Sequence, residues 1–155
     1  FSGLIPPKSK QFDPNITVLR MSDLHTNLTL SSSPDNVCQV EPFVHELARR
    51  YNLSPDLHGN ILVSLTEAVT NAMLHGNQGD CSKHVCISLR RQKDALSIRV
   101  SDEGPGFNPV EVPDPTCPEL LEKCGGRGLF LMRQLSSKCR FTHGGRTVEM
   151  RFKLD

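Results

Sequence analysis

The feature that most constrains this chain is an apolar helical pattern carrying a carboxylate and a carboxamide four residues apart. Residues 67–77 read EAVTNAMLHGN. Residues four apart on an α-helix lie about one turn apart on the same side, so Glu67 and Asn71 face the same way. Apolar residues occupy most of the rest of this helix, and polar groups beside a core need partners. The pattern predicts either an ordinary amphipathic helix with a solvated polar pair or one wall of a metal-nucleotide site.

Size and charge are those of an ordinary globular domain. The 155 residues suffice for one core, and a hydrophobic fraction of 37% with a charged fraction of 23% is typical of soluble proteins. A formal net charge of +1, without a long run of one sign, gives no electrostatic signature of nucleic acid or an anionic membrane. No apolar run approaches the roughly 18 residues that span a bilayer. We therefore expect neither nucleic acid nor a membrane as a partner.

The six cysteines do not follow a pattern typical of disulfides or zinc. No Cys-x-x-Cys pair occurs, and Cys38 and Cys86 lie in apolar patterns, where a free thiol behaves as a small hydrophobic side chain. Free thiols are typical of a reducing compartment, so we expect a cytoplasmic protein.

Residues 1–14 predict an extended lead-in, and residues 15–155 predict a single domain. Periodicity and turn residues predict its elements in this order: strands at 16–21 and 27–30, helices at 35–51 and 55–75, strands at 85–89 and 95–100, a long loop at 108–124, a helix from 129, and a hairpin at 139–153. Gly76 and Gly79 are expected to stop the second helix through positive φ. This order predicts an α/β (α+β) two-layer sandwich, with helices on one face of a mixed, mostly antiparallel sheet. The long loop is expected to be a lid.

Two glycine motifs follow the helical stretch. Asp102-Glu-Gly104-Pro-Gly106 comes directly after a strand. It is either a tight turn or a loop whose glycines let the backbone approach a planar base while Asp102 accepts a hydrogen bond from an exocyclic amine. Gly126 and Gly128 precede a helix and form either a hinge or a phosphate site, because helix N-termini attract anions. The order of the motifs favours a nucleotide site more strongly than either motif alone.

In this order, the motifs resemble those of the GHKL ATPase superfamily, which has the Bergerat ATP-binding fold and includes histidine kinases and gyrase B. The likeness covers about residues 57–135. It is strongest to bacterial anti-sigma factor serine/threonine kinases, through EAVTNA at 67–72, HG at 75–76, DEGPGF at 102–107 and GRGLFLM at 126–132. The resemblance implies an ATP-dependent protein kinase that phosphorylates an anti-anti-sigma partner of the STAS fold. It also implies sequestration of a sigma factor, commonly by a homodimer.

The resemblance also assigns roles to individual residues. It implies that Glu67 is the general base, Asn71 the Mg²⁺ ligand and Asp102 the adenine anchor. The implied nucleotide-loop glycines are Gly104, Gly106, Gly126 and Gly128. These roles agree with the chemistry, because a carboxylate beside a γ-phosphate can take a hydroxyl proton and Mg²⁺ favours oxygen ligands. Arg127 either offsets charge on the γ-phosphate or faces a partner.

Two other functions stay open on the sequence. A binding module would hold ATP or ADP as a structural ligand and act only by sequestration. The ATP-binding domain of a histidine kinase would need a phosphoacceptor, and His45-Glu46 resembles the start of such a box. Arg49-Arg50 follows where a proline is usual, and we expect no phosphoacceptor domain ahead of residue 27. His45 is therefore expected on a solvated helix face. His75 is expected either near the nucleotide or as a cation at a helix C-terminus.

Overall fold

The computed structural model describes the backbone of residues 16–21, 25–106 and 126–154. Its strands are β1 Ile16–Met21, β2 His25–Ser31, β3 His84–Arg91, β4 Ala95–Ser101, β5 Lys138–Thr142 and β6 Thr147–Lys153. They form one six-stranded sheet in the order β1-β2-β3-β4-β6-β5. The predicted lead-in at 1–14 and the whole predicted lid at 108–124, with Cys117 and Cys124, lie outside the described residues.

The predicted two-layer sandwich is confirmed, and each pair of neighbouring strands in the described ranges is antiparallel. The parallel component expected of a mixed sheet is absent there for a topological reason. Two helices separate β2 from β3, so the chain re-enters the sheet from the end at which it left. β5 follows β4 after one described helix, but β6 lies between the two strands.

The helices are α1 Val40–Tyr51, α2 Pro55–Asn71 and α3 Gly126–Leu135. A 3₁₀ turn at Pro34–Gln39 leads into α1, and a π-helical turn at Ala72–Gly76 continues α2. The start of α2 is well defined, because Ser54 Oγ accepts a hydrogen bond from the Leu57 N–H at 3.2 Å and Pro55 follows the cap. The helices predicted at 35–51 and 55–75 are therefore confirmed, each with one non-α turn.

The core lies between the sheet and the helices. Alternate strand residues point into it, as a sheet covered on one face requires. On β3 these are Val85, Ile87 and Leu89, all buried. α2 crosses the middle of the layer and buries Leu57, Ile61, Leu65, Ala68 and Val69. The other sheet face is polar. No helix in the described ranges is long and apolar enough to cross a membrane.

The end of α2 corrects the prediction that Gly76 stops the helix through positive φ. Gly79 does have a φ of 72°, after Gln78 at 56°. Gly76 lies inside the π turn instead, where the Asn77 N–H donates to the Ala72 carbonyl at 2.8 Å. A Cβ on Gly76 would lie 2.3 Å from Asp102 Oδ2. Glycine is needed here because another segment approaches closely.

Four cysteines lie in the described ranges as free thiols: Cys38, Cys81, Cys86 and Cys139. Cys38 and Cys86 are exposed, so the prediction that both behave as small hydrophobic side chains in apolar surroundings is wrong. On β3 the exposed positions alternate with the buried ones, and Cys86 falls on the polar face. Burial raises the pKa of the Cys139 thiol to about 11, so this cysteine is a weak nucleophile at neutral pH.

Candidate nucleotide site

Glu67 and Asn71 lie one turn apart on α2 and face the start of α3. Both residues are partly buried, and Gly128 in the first turn of α3 is buried. A Cβ placed on Gly128 would lie 2.7 Å from Glu67 Oε2 and 3.2 Å from Asn71 Nδ2. Only a residue without a side chain leaves this carboxylate and carboxamide in place. The structure therefore brings both predicted polar residues together with one predicted loop glycine.

The N-terminus of α3 adds an anion-attracting group to this pair. α3 begins at Gly126, and the first N–H groups of a helix have no acceptor within the helix. Those donors and the positive end of the helix dipole favour a phosphate. Arg127 is exposed in the same turn. A phosphate bound here would lie near the Glu67 carboxylate, so a cation between the two anions would be stabilising.

The Asn71 side chain can bind such a cation as its single protein ligand. No group of three or more His, Cys, Asp or Glu in the described part of the chain could hold a metal by itself. Mg²⁺ typically takes one or two protein oxygens and completes its shell with substrate phosphates and water. An amide oxygen beside a phosphate site fits that requirement.

Asp102 lies against the π turn that continues the C-terminal end of α2, in the loop that follows β4. Its N–H donates to the Arg146 carbonyl at 2.9 Å, and its Oδ1 accepts from the Gly104 N–H at 2.8 Å. Oδ2 packs against Gly76 and accepts no hydrogen bond from the described residues. Burial raises the pKa of the Asp102 carboxyl, and the Gly104 N–H and Arg146 lower it less. The carboxylate is thus held in one orientation with one oxygen left to accept from an N–H donor.

The loop glycines are needed for close backbone approach. Gly104 is buried, and a Cβ on it would lie 1.8 Å from the Gly76 carbonyl oxygen. Gly106 has a φ of 80°, and a Cβ on it would lie 2.1 Å from the Gly144 carbonyl oxygen in the turn between β5 and β6. The loop is therefore packed between the end of α2 and the last hairpin, with little bulk on its own surface.

The two groups of residues are separated along the helix axis. At about 1.5 Å of rise per residue, Gly76 lies about 13 Å from Glu67 along the helix. That is comparable to the length of an extended nucleoside triphosphate. The predicted phosphate-binding residues therefore lie in the last turns of α2, and the predicted amine acceptor lies against the π turn that follows them. The roles of these residues in nucleotide binding stay predictions.

The chain matches the family described as Histidine kinase-like ATPase domain over residues 30–152. This chain belongs to that family. The match includes all the predicted site residues, from Glu67 to Gly128. An ATPase domain uses ATP, which agrees with the predicted nucleotide.

Similar proteins carry more specific names than the family does. Serine-protein kinase RsbW of Listeria innocua serovar 6a is 27% identical over 126 residues, which cover 74% of this chain and 78% of the relative. The protein of the same name from Bacillus subtilis strain 168 is 28% identical over 135 residues, covering 81% and 83%. Anti-sigma F factor of Clostridium perfringens strain SM101 is 35% identical over 75 residues, covering 48% and 46%.

Asn77 is the residue of this ATPase domain that the sequence did not reveal. It is fully buried, its Oδ1 accepts from the Glu103 N–H at 2.7 Å, and its Nδ2 donates to Ser32 Oγ at 2.6 Å and to the His84 carbonyl at 3.0 Å. One side chain thereby joins the end of α2 to the loop that holds Asp102. A polar residue after a helix-ending glycine is a weak signal, because surface turns have the same composition.

Replacing Asn77 with alanine should weaken both the fold and the nucleotide site. The change removes the acceptor for the Glu103 N–H and the donor to Ser32, leaving buried polar groups unpaired, at a cost of about 2–4 kcal/mol in the free energy of unfolding. Urea denaturation measures that loss, and calorimetry with ATP measures the binding. Asn27→Ala, at an exposed asparagine on β2, is the matched control and should change neither quantity. Equal effects of the two substitutions would contradict the assigned role.

Proposed function

We propose that this chain is an ATP-dependent serine/threonine protein kinase that also acts as an anti-sigma factor. Its substrate is a serine or threonine hydroxyl on an anti-anti-sigma protein of the STAS fold, and it sequesters a sigma factor. The family match and the names of the similar proteins, serine-protein kinase and anti-sigma F factor, support this function. A homodimer and a cytoplasmic location belong to the same proposal.

The observation that carries the proposal is the meeting of the Glu67 carboxylate with the N-terminus of α3 at Gly128. A carboxylate alone would repel a triphosphate, and a helix N-terminus alone would only bind it. Together they hold the γ-phosphate while keeping a proton acceptor beside the incoming hydroxyl. A module that acts only by sequestration would have no use for the carboxylate.

The reaction follows from this arrangement. The substrate hydroxyl oxygen attacks the γ-phosphorus, the bond from that phosphorus to the β–γ bridging oxygen breaks, and ADP leaves. Glu67 takes the hydroxyl proton. Asn71 would hold Mg²⁺, which would supply positive charge beside the phosphate when bound. Arg127 adds positive charge on the exposed side of the same turn.

The base end selects adenine over guanine. Asp102 Oδ2 accepts from the exocyclic amine of adenine, whereas guanine presents a carbonyl oxygen at the corresponding position. The absence of side chains at Gly104 and Gly106 lets this loop pack against Gly76 and Gly144, which fixes its backbone beside the base. Mg²⁺-ATP and Mg²⁺-ADP are therefore the expected ligands.

Incubation with ATP labelled at the γ-phosphate and each STAS-domain protein of the source organism tests this function. Label should pass to a serine or threonine of one such protein and survive treatment with acid, which hydrolyses phosphohistidine. His45→Gln is the matched control for the histidine-kinase alternative, because His45 is exposed on α1 with its ring centroid 5.9 Å from that of His58. Transfer should be unchanged in this variant. ATP binding without transfer to any STAS partner would instead favour sequestration alone.

A further inference from the structure

The sheet face opposite the helices concentrates positive charge. Its cationic side chains lie on four adjacent strands and include Arg90, Arg99, Lys138, Arg140 and Arg151. The chain as a whole has a formal net charge of only +1. This surface therefore carries more positive charge than the molecule's total suggests. Arg99, Lys138, Arg140 and Arg151 line a cavity of about 210 Å³ on it, and we call these four residues the basic sheet face.

In one line of cross-strand neighbours on this face, a single carboxylate lies between two guanidinium groups. Arg99 lies opposite Glu149 in the register of β4 and β6, and Arg140 lies opposite Glu149 in that of β5 and β6. The Nε of Arg99 is 2.5 Å from Glu149 Oε2, and an Nη of Arg140 is 2.6 Å from Oε1. Burial alone would raise the pKa of the Glu149 carboxyl, but these two guanidinium groups hold that pKa below its usual value. This line of residues therefore keeps one uncompensated positive charge.

The next line of cross-strand neighbours places two cations opposite each other. Lys138 on β5 pairs in register with Arg151 on β6. Like charges directly opposite in a sheet are destabilising. Arg151 has an Nη 3.3 Å from Asp94 Oδ1, but the Asp94 side chain is 73% exposed, so that pair offsets little. The fold thus keeps an unfavourable pairing that an anionic group between the two side chains would relieve.

We propose that the basic sheet face docks an acidic segment of a partner protein. Carboxylates of that segment bind between Lys138 and Arg151 and at the free donors of Arg99 and Arg140, since guanidinium groups pair well with carboxylates. The face lies on the opposite side of the sheet from α2. Docking there would leave Glu67 and Asp102 accessible, so this inference holds whether or not the proposed kinase function does.

The local chemistry favours an acidic protein segment over other occupants. A second copy of the chain presenting the same face would bring like charges together. For nucleic acid, the residues lining the cavity include no aromatic side chain for base stacking, and Glu149 at its centre repels a continuous line of phosphates. Side-chain carboxylates of a protein can be spaced around Glu149.

Titration of the isotope-labelled full-length chain with a hexaglutamate peptide tests the proposal. At low ionic strength, where screening is weak, amide shifts should concentrate on β4, β5 and β6 and leave Glu67 unaffected. By fluorescence anisotropy, Lys138→Gln with Arg151→Gln should weaken peptide binding about fivefold or more. The double variant should fold at least as stably as the wild type, because it removes a repulsive pair, and ATP affinity should not change.

The matched control removes the same charge from the helical layer, by Arg49→Gln with Arg133→Gln. Both residues are exposed. Equal loss of peptide binding in the two double variants would show that only total charge matters and would overturn the proposal. Tighter binding of an oligothymidine than of hexaglutamate would overturn it in favour of nucleic acid, and shifts elsewhere or no binding would also reject it. If the double variant does not fold, the peptide affinity of Arg140→Gln is measured instead, together with the amide shifts of the wild type. Weaker binding by Arg140→Gln, with wild-type shifts on β4, β5 and β6, supports the proposal, and unchanged binding rejects it.

Discussion

Asp102→Asn should abolish measurable ATP binding while leaving the fold intact. The new amide keeps an oxygen for the Gly104 N–H, so the loop retains its hydrogen bond. The NH₂ group then replaces Oδ2 and points a donor at the amine of adenine. Loss of a charge-assisted hydrogen bond and the opposition of two donors should weaken affinity on the order of 10²-fold or more. Isothermal calorimetry with Mg²⁺-ATP measures it.

The stability of the same variant gives a second, independent readout. Because burial raises the folded-state pKa of Asp102, ionising this group costs more in the native state than in the unfolded chain. Below the unfolded pKa of about 3.9 both states are protonated and the cost disappears. As pH rises through the raised folded pKa, the wild type should lose stability relative to Asp102→Asn. Urea denaturation at acid and neutral pH tests the sign.

Two controls accompany this experiment. Asp94→Asn changes an exposed aspartate in the turn between β3 and β4 and should leave ATP affinity unchanged. GTP should bind the wild-type protein much more weakly than ATP, since guanine lacks the required amine. Equal affinity for GTP and ATP would remove Asp102 from the role of base anchor.

Glu67→Gln should separate the chemical step from binding. Glutamine keeps the size of the side chain beside Gly128 but cannot accept the hydroxyl proton. Phosphotransfer should therefore fall by roughly 10²-fold or more while ATP affinity changes little. Single-turnover transfer to the proposed STAS-domain substrate measures the first quantity, and calorimetry with ATP measures the second.

The control for this substitution is Glu41→Gln, at an exposed glutamate in the first turn of α1. It should transfer phosphate at the wild-type rate. If Glu67→Gln also transfers at that rate, the carboxylate is not the base, and the function reduces to nucleotide-dependent sequestration. A large loss of ATP affinity instead would make Glu67 a binding residue.

Local periodicity predicted the elements of this fold well because burial repeats with the period of the backbone. The alternation of Val85, Ile87 and Leu89 and the helical spacing of Ile61 and Leu65 both survive in the structure. Strand neighbours were harder to predict, since the position of β6 between β4 and β5 depends on contacts distant in sequence. For that reason no neighbouring strands in the described ranges are parallel.

The same distinction applies to the candidate site: relations within one helix could be predicted, and contacts between distant segments could not. Glu67 and Asn71 could be placed together because four residues of helix determine their relation. The reason for Gly76 was missed, because nothing local shows that Asp102 will pack against it. Asn77 was missed likewise, since its partners lie 45 residues before it and 26 after it in the chain.

The long sequence separations between Asn77 and its partners affect the order in which the molecule folds. The loop holding Asp102 is joined to α2 through Asn77 and to the last hairpin through the Arg146 carbonyl, so neither attachment exists until distant segments have met. Closing such long loops is slow, and local helices form before it. The loop predicted to bind adenine is thus among the last parts to assemble during synthesis. Nucleotide bound there as proposed would stabilise only chains that have completed assembly.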